Sequence, residues 1–144
     1  MAAMTETPRR ALMLEVPPHI LEWRKRTGAD RFDEVWEGVI HMSPSPTNRH
    51  QGLSGKLAFW LETHWARRGH GKVFVQCNVA RPGIPKWLDD FRIPDLALLA
   101  PGCAARDLDT HFAGGPSVVV EVYSPGDESY DKLPFYFDIG VEEM

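Results

Sequence analysis

A single α/β domain is the architecture the sequence predicts, and three observations predict it. Apolar residues recur at helical spacing after residue 47. Two β-rich runs, residues 92–100 and 117–123, show little polar alternation, as expected of strands covered on both faces. The chain has 144 residues, 43% apolar and 25% charged, enough for one core and too few for two ordinary domains.

The same composition excludes several function classes. The longest apolar runs, residues 96–100 and 118–122, have strand length and fall far short of the roughly 20 residues that span a bilayer. No membrane association is expected. Arg9 and Arg10 are followed by only a few apolar residues before Glu15, so a secretory leader is not expected and a cytoplasmic location is. Cys77 and Cys103 have no ligand spacing and are read as reduced thiols. A net charge of -4 argues against a generic basic nucleic-acid coat; any DNA contact must be local or helped by bound cations.

Residues 1–18 are expected to be partly disordered and residues 19–144 to form the domain, because Pro17-Pro18 breaks an aperiodic leader. Residues 19–26 suit a short helix ended by Gly28, with Arg24, Lys25 and Arg26 complementing its C-terminal dipole. Residues 31–42 predict a short strand pair bent at Glu37-Gly38, followed by a break at Ser43-Pro44-Ser45-Pro46. Leu53, Leu57, Trp60, Leu61 and Trp65 predict an amphipathic helix ending near Gly69, with both tryptophans in the core. Residues 72–80 read as one strand with Val73, Val75, Cys77 and Val79 on one face. Residues 131–138 read as a helix with Pro134 early and Gly140 as its cap.

Chemistry concentrates in the two apolar runs. Glu121 interrupts Val118-Val119-Val120 and Val122, where an unpaired charge is costly unless a cation or donor meets it. Asp95 does the same in Ile93-Pro94-Asp95-Leu96, where the proline fits a strand start or bulge. Two acids on neighbouring strands could share a hard cation such as Mg²⁺, which takes one or two carboxylates and keeps water and phosphate in its other positions. Lys132, nine residues past Tyr123, is the candidate ammonium for positioning a water or stabilising developing charge.

In order and spacing these residues resemble the Uma2 (DUF820) group of PD-(D/E)XK restriction-endonuclease-like proteins. The resemblance is carried by Val35-Trp36-Glu37-Gly38 through Ser43-Pro44, His50, Ile93-Pro94-Asp95-Leu96, Val120-Glu121-Val122-Tyr123-Ser124-Pro125 and Tyr130-Asp131-Lys132-Leu133-Pro134-Phe135-Tyr136. It covers residues 31–144. It implies a mixed central sheet flanked by helices, Asp95 and Glu121 as metal ligands, Glu37 as an additional acid near the site and Lys132 as the catalytic ammonium. The implied activity is Mg²⁺-dependent (or Mn²⁺-dependent) hydrolysis of DNA phosphodiester bonds. Tyr123 stands where the broader superfamily has its lysine, so Lys132 must reach the site from the following helix.

Each residue also has a plainer reading. Asp95 could be a strand-entry residue, Glu121 a core carboxylate satisfied by an arginine such as Arg92, Lys132 a first-turn lysine and Glu37 a solvent-facing acid. His50 fits a structural histidine near the start of the long helix. An inactive DNA-binding or protein-interaction module on the same fold is the competing functional reading. The group's usual pattern continues past Gly140-Val141-Glu142 into another strand, so the chain reads as truncated, with a sheet edge open to homodimerisation, there or through a helix face. A longer carboxyl-terminal segment is expected to raise the melting temperature; an unchanged value in a thermal melt would count against this.

Overall fold

The structure, a computed structural model, describes residues 15–144. Most of the segment expected to be disordered therefore lies outside the described residues. The chain divides into two compact units, Met1–Arg31 and Phe32–Met144. In the first, α1 (Pro18–Thr27) starts on a proline, whose missing N–H is no loss in a first turn. It ends at Gly28, whose left-handed backbone (φ +72°) lets its N–H reach the carbonyls of Arg24 and Lys25. Arg24, Lys25 and Arg26 occupy the last turn as expected.

The second unit opens with the antiparallel hairpin β1 (Glu34–Trp36) and β2 (Val39–His41), turning at Glu37-Gly38 with φ +49° and +84°. Helix α2 (Asn48–His64) follows, its N-terminus capped by Thr47, which accepts the His50 N–H. Then come β3 (Lys72–Val75), β4 (Val79–Ala80), β5 (Phe91–Arg92), β6 (Leu96–Leu99), β7 (Arg106–Asp107), β8 (Phe112–Ala113) and β9 (Val118–Val120). A 3-10 turn, Ser129–Lys132, leads into α3 (Leu133–Asp138).

A mixed α+β architecture is thus present, but its hydrogen bonding forms two sheets. One has the order β2-β1-β5-β4-β8-β7, with β4 and β8 parallel; the other is antiparallel, β3-β6-β9. The run 72–80 is accordingly not one strand. Gln76 takes φ +50°, and the kink sends β3 into one sheet and β4 into the other. Val75 is 55% exposed while Val79 is fully buried, so no common face survives the kink. The run 92–100 is likewise divided at Ile93-Pro94-Asp95, where the proline was expected to mark a strand start or bulge.

Helix α2 packs on β3 with Leu57, Leu61 and Trp65 half-buried and Ser54 fully so. Trp60, expected in the core, is 55% exposed and stacks on His64 instead. Leu53 and Trp60 each precede a packed residue by one position, which rotates them about 100° off the buried stripe. The core gathers Val79, Val119, Phe135, Tyr136, Ile139 and Val141. Gly115 lies flush against the Gly140-Val141 backbone, donating to the Ile139 carbonyl at 2.7 Å; any side chain there would meet that backbone. Beyond Gly140 the chain runs beside β9, where Val119 donates to the Glu143 carbonyl and Val118 bridges Glu143 in parallel. No helix among the described residues is long and apolar enough to cross a membrane.

Arg92 ties the hairpin to α3. Its guanidinium lies between the rings of Trp36 (4.5 Å) and Phe135 (4.0 Å) and donates to Asp90 and to the Val35 carbonyl. Asp90 also receives Arg81 at 2.8 Å. Burial works against the Asp90 charge, but the two arginines and the Glu37 N–H outweigh it and hold the carboxyl below its usual range. Asp90→Ala would strand a buried guanidinium, so urea denaturation is expected to show a loss of about 3 to 5 kcal/mol; a loss under about 1 kcal/mol would mean the pair is not structural.

Candidate active site

Strands β6 and β9 are antiparallel with Leu96 opposite Val120. Continuing that register by one residue sets Asp95, just before β6, opposite Glu121, just after β9. Directly opposed side chains on one face sit about 5 Å apart at Cβ. The two acids that interrupt the apolar runs are thereby brought together, and the Asp95 charge is felt at Glu121.

Lys132 reaches the same place from the 3-10 turn before α3. Its Nζ donates to Glu121 Oε1 at 3.1 Å and to Glu34 Oε1 at 2.7 Å. The side chain is 12% exposed, against 6% for Glu121 and 4% for Glu34. Tyr136, one turn further along the chain, donates its hydroxyl to Glu121 Oε1 at 2.8 Å. Glu121 is therefore held by a lysine and a tyrosine, and not by Arg92, which is engaged with Asp90. On the other side, Asp95 Oδ2 accepts the Val122 N–H at 2.7 Å and lies 3.3 Å from His50 Nε2.

Glu34 was not among the residues singled out from the sequence. It is saturated with donors: Ile93 N–H and Lys132 on Oε1, and the Trp36 indole on Oε2 at 2.7 Å. Glu37 lies at the exposed tip of the hairpin, where its backbone N–H donates to Asp90. The extra acid beside Lys132 is thus three residues earlier than expected. The bend read at Glu37-Gly38 carried the signal, because a residue at a turn tip points away from the sheet and the strand before it supplies the inward acid.

The electrostatics follow from burial and pairing. Burial pushes the Glu121 carboxyl up to about 7, Asp95 adds to the push, and Lys132 and Tyr136 pull against it. For Lys132 burial favours the neutral amine, but Glu34 and Glu121 outweigh it and raise its pKa, so it is a cation at neutral pH. Burial, then the carboxylates Glu121 and Glu34, keep the Tyr136 phenol protonated well above its ordinary range.

No group of three or more His, Cys, Asp or Glu side chains able to hold a metal exists among the described residues. That rules against a four-ligand zinc centre there. It does not conflict with Mg²⁺, which commonly takes one or two carboxylates. Asp95 Oδ1 and Glu121 Oε2 have no hydrogen-bond partner among the described residues, and neither is among the buried unpartnered atoms, so both reach solvent. Two paired oxygens of a hard donor type, backed by a local excess of negative charge, fit a small divalent cation.

The family described as "Uma2: Putative restriction endonuclease" matches residues 18–144. The chain belongs to the Uma2 family. The match begins ahead of the resemblance noted from the sequence and takes in α1. A solved structure of similar fold is a "putative nuclease belonging to DUF820" from Anabaena variabilis, with TM-score 0.58 and 16% identity over 76% of this chain. This Uma2 chain spans 62% of that protein's length. No curated protein matches it. The mixed α+β fold expected from the motifs is present and is similar to that of this DUF820 structure.

A titration of stability separates Glu121 from its neighbours. Its folded pKa, about 7, lies above its ordinary 4.5, so the folded chain keeps a proton that the unfolded chain has lost between those values. Stability is expected to fall as pH rises through that window, by up to roughly 3 kcal/mol. Asp90 titrates below the window and Lys132 above it. Urea melts in metal-free buffer at pH 5 and pH 8 should show the fall in wild type and a flatter profile in Glu121→Gln. Identical profiles would mean that burial does not raise the Glu121 carboxyl.

Proposed function

We propose that this Uma2 protein is a Mg²⁺-dependent endonuclease that hydrolyses phosphodiester bonds in DNA, with Mn²⁺ able to substitute. One observation carries the reading: Asp95 and Glu121 meet at the ends of adjacent strands with the Lys132 ammonium bonded to one of them. Asp95 Oδ1 and Glu121 Oε2 would hold the cation, which when bound polarises a phosphoryl oxygen and acidifies a water.

The chain's own groups have distinct tasks. Lys132 has three N–H donors, two of which go to Glu34 and Glu121, and the third remains for a water or a phosphoryl oxygen. Being charged, it cannot accept the water's proton; it acts by stabilising negative charge as the phosphorus takes the incoming oxygen and the ester oxygen leaves. Glu34 holds the lysine in place. Tyr136 fixes one oxygen of Glu121 and so orients the other. DNA itself would meet α2, whose exposed face carries Arg49, Lys56 and Trp60, a local basic and aromatic surface on a chain of net charge -4.

The test is calorimetric titration of Mg²⁺ and Mn²⁺ into wild type, Asp95→Asn and Glu121→Gln, followed by a plasmid-nicking assay on the same samples. Expected are metal binding lost in both variants and a cleavage rate reduced about 10² to 10³-fold in Lys132→Met with metal binding kept. Equal or absent binding in wild type and Glu121→Gln would sink the nuclease reading. Metal-independent DNA binding without turnover would favour an inactive binding module.

A further inference from the structure

His50 stands in the first turn of α2 with its backbone tied on both sides. Its N–H donates to Thr47 Oγ1 at 3.2 Å, and its carbonyl accepts Ser54 Oγ at 3.0 Å. The ring is 16% exposed and brings Nε2 to 3.3 Å from Asp95 Oδ2. The approach is close without being aligned as a hydrogen bond. The other ring nitrogen, Nδ1, is buried without a partner.

A side chain present only to fill space under α2 would do better as leucine, which has similar bulk and no buried nitrogen to desolvate. What the imidazole adds is a polar nitrogen 3.3 Å from Asp95 Oδ2. The Val122 N–H meets the same oxygen at 2.7 Å. With the Val122 N–H bonded to Oδ2 from the end of β9 and the His50 ring lying against the same oxygen from the helix, the carboxylate is kept from rotating, which leaves Oδ1 as the oxygen that reaches solvent. We infer that His50 is a positioning residue for Asp95, locking the carboxylate so that Oδ1 is presented to a divalent cation. The inference rests on the metal reading of the same site.

The experiment titrates MnCl₂ calorimetrically into wild type, His50→Leu, His50→Gln and His50→Asn, with the melting temperature of each taken in EDTA. His50→Leu is expected to melt at or above the wild-type temperature while binding Mn²⁺ about 10 to 100-fold more weakly. Glutamine can supply an N–H at the position of Nε2 and should restore the affinity; asparagine, one methylene shorter, should not. Wild-type affinity in His50→Leu would overturn the inference, as would a loss of affinity that tracks a fall in melting temperature across all three variants. If His50→Leu does not fold, the Gln and Asn pair decides, and equal affinities in those two overturn it. A wild type that binds no Mn²⁺ removes the metal reading and this inference together, whereas binding by wild type that is lost in Asp95→Asn but kept in His50→Leu removes the inference alone.

Discussion

Lys132 is bonded to two carboxylates from distant parts of the chain, Glu34 at the start of the hairpin and Glu121 at the end of β9. All three side chains are withdrawn from water, so each would be costly alone, and together they form one unit that must be assembled whole. That requirement places the β1–β2 hairpin, strand β9 and the turn before α3 at fixed positions. Burial pushes the Glu121 carboxyl up to about 7, with a smaller push from the Asp95 charge, against the pull of Lys132 and Tyr136.

The surrounding framework serves that cluster at several removes. Arg92 is clamped between Trp36 and Phe135 and neutralised by Asp90, which joins the hairpin to α3 and keeps a second buried charge from competing for Glu121. Tyr136 has its ring in the core and its hydroxyl on Glu121, so packing of α3 and orientation of the carboxylate are a single event. The kink at Gln76 splits the sheets, and the break at Ile93-Pro94-Asp95 turns a potential strand into a loop whose Ile93 N–H serves Glu34 and whose acid faces Glu121.

Local pattern and motif order determined much of this in advance. The long helix after Thr47, the hairpin bend at Glu37-Gly38, the C-terminal cap at Gly28 and the two acids set in apolar runs are all properties of short windows, and they are found where the sequence places them. Asp95 and Glu121 were legible because a carboxylate set in an apolar run is anomalous whatever the fold. Lys132 was legible only through motif order, since a lysine in a first turn is ordinary.

Tertiary structure alone decided the rest. Which face of α2 is covered depends on how β3 meets it, and a shift of one residue puts Trp60 in solvent despite a period that suits the core. Whether residues 72–80 make one strand or two depends on a positive φ at Gln76 that no residue preference announces. Glu34 and His50 looked like bystanders because an acid beside a tryptophan and a histidine near a helix start have many local uses. Their partners lie 98 and 45 residues away in the chain, at Lys132 and Asp95, and sequence windows see local periodicity whereas these contacts are made by the packing of separate elements.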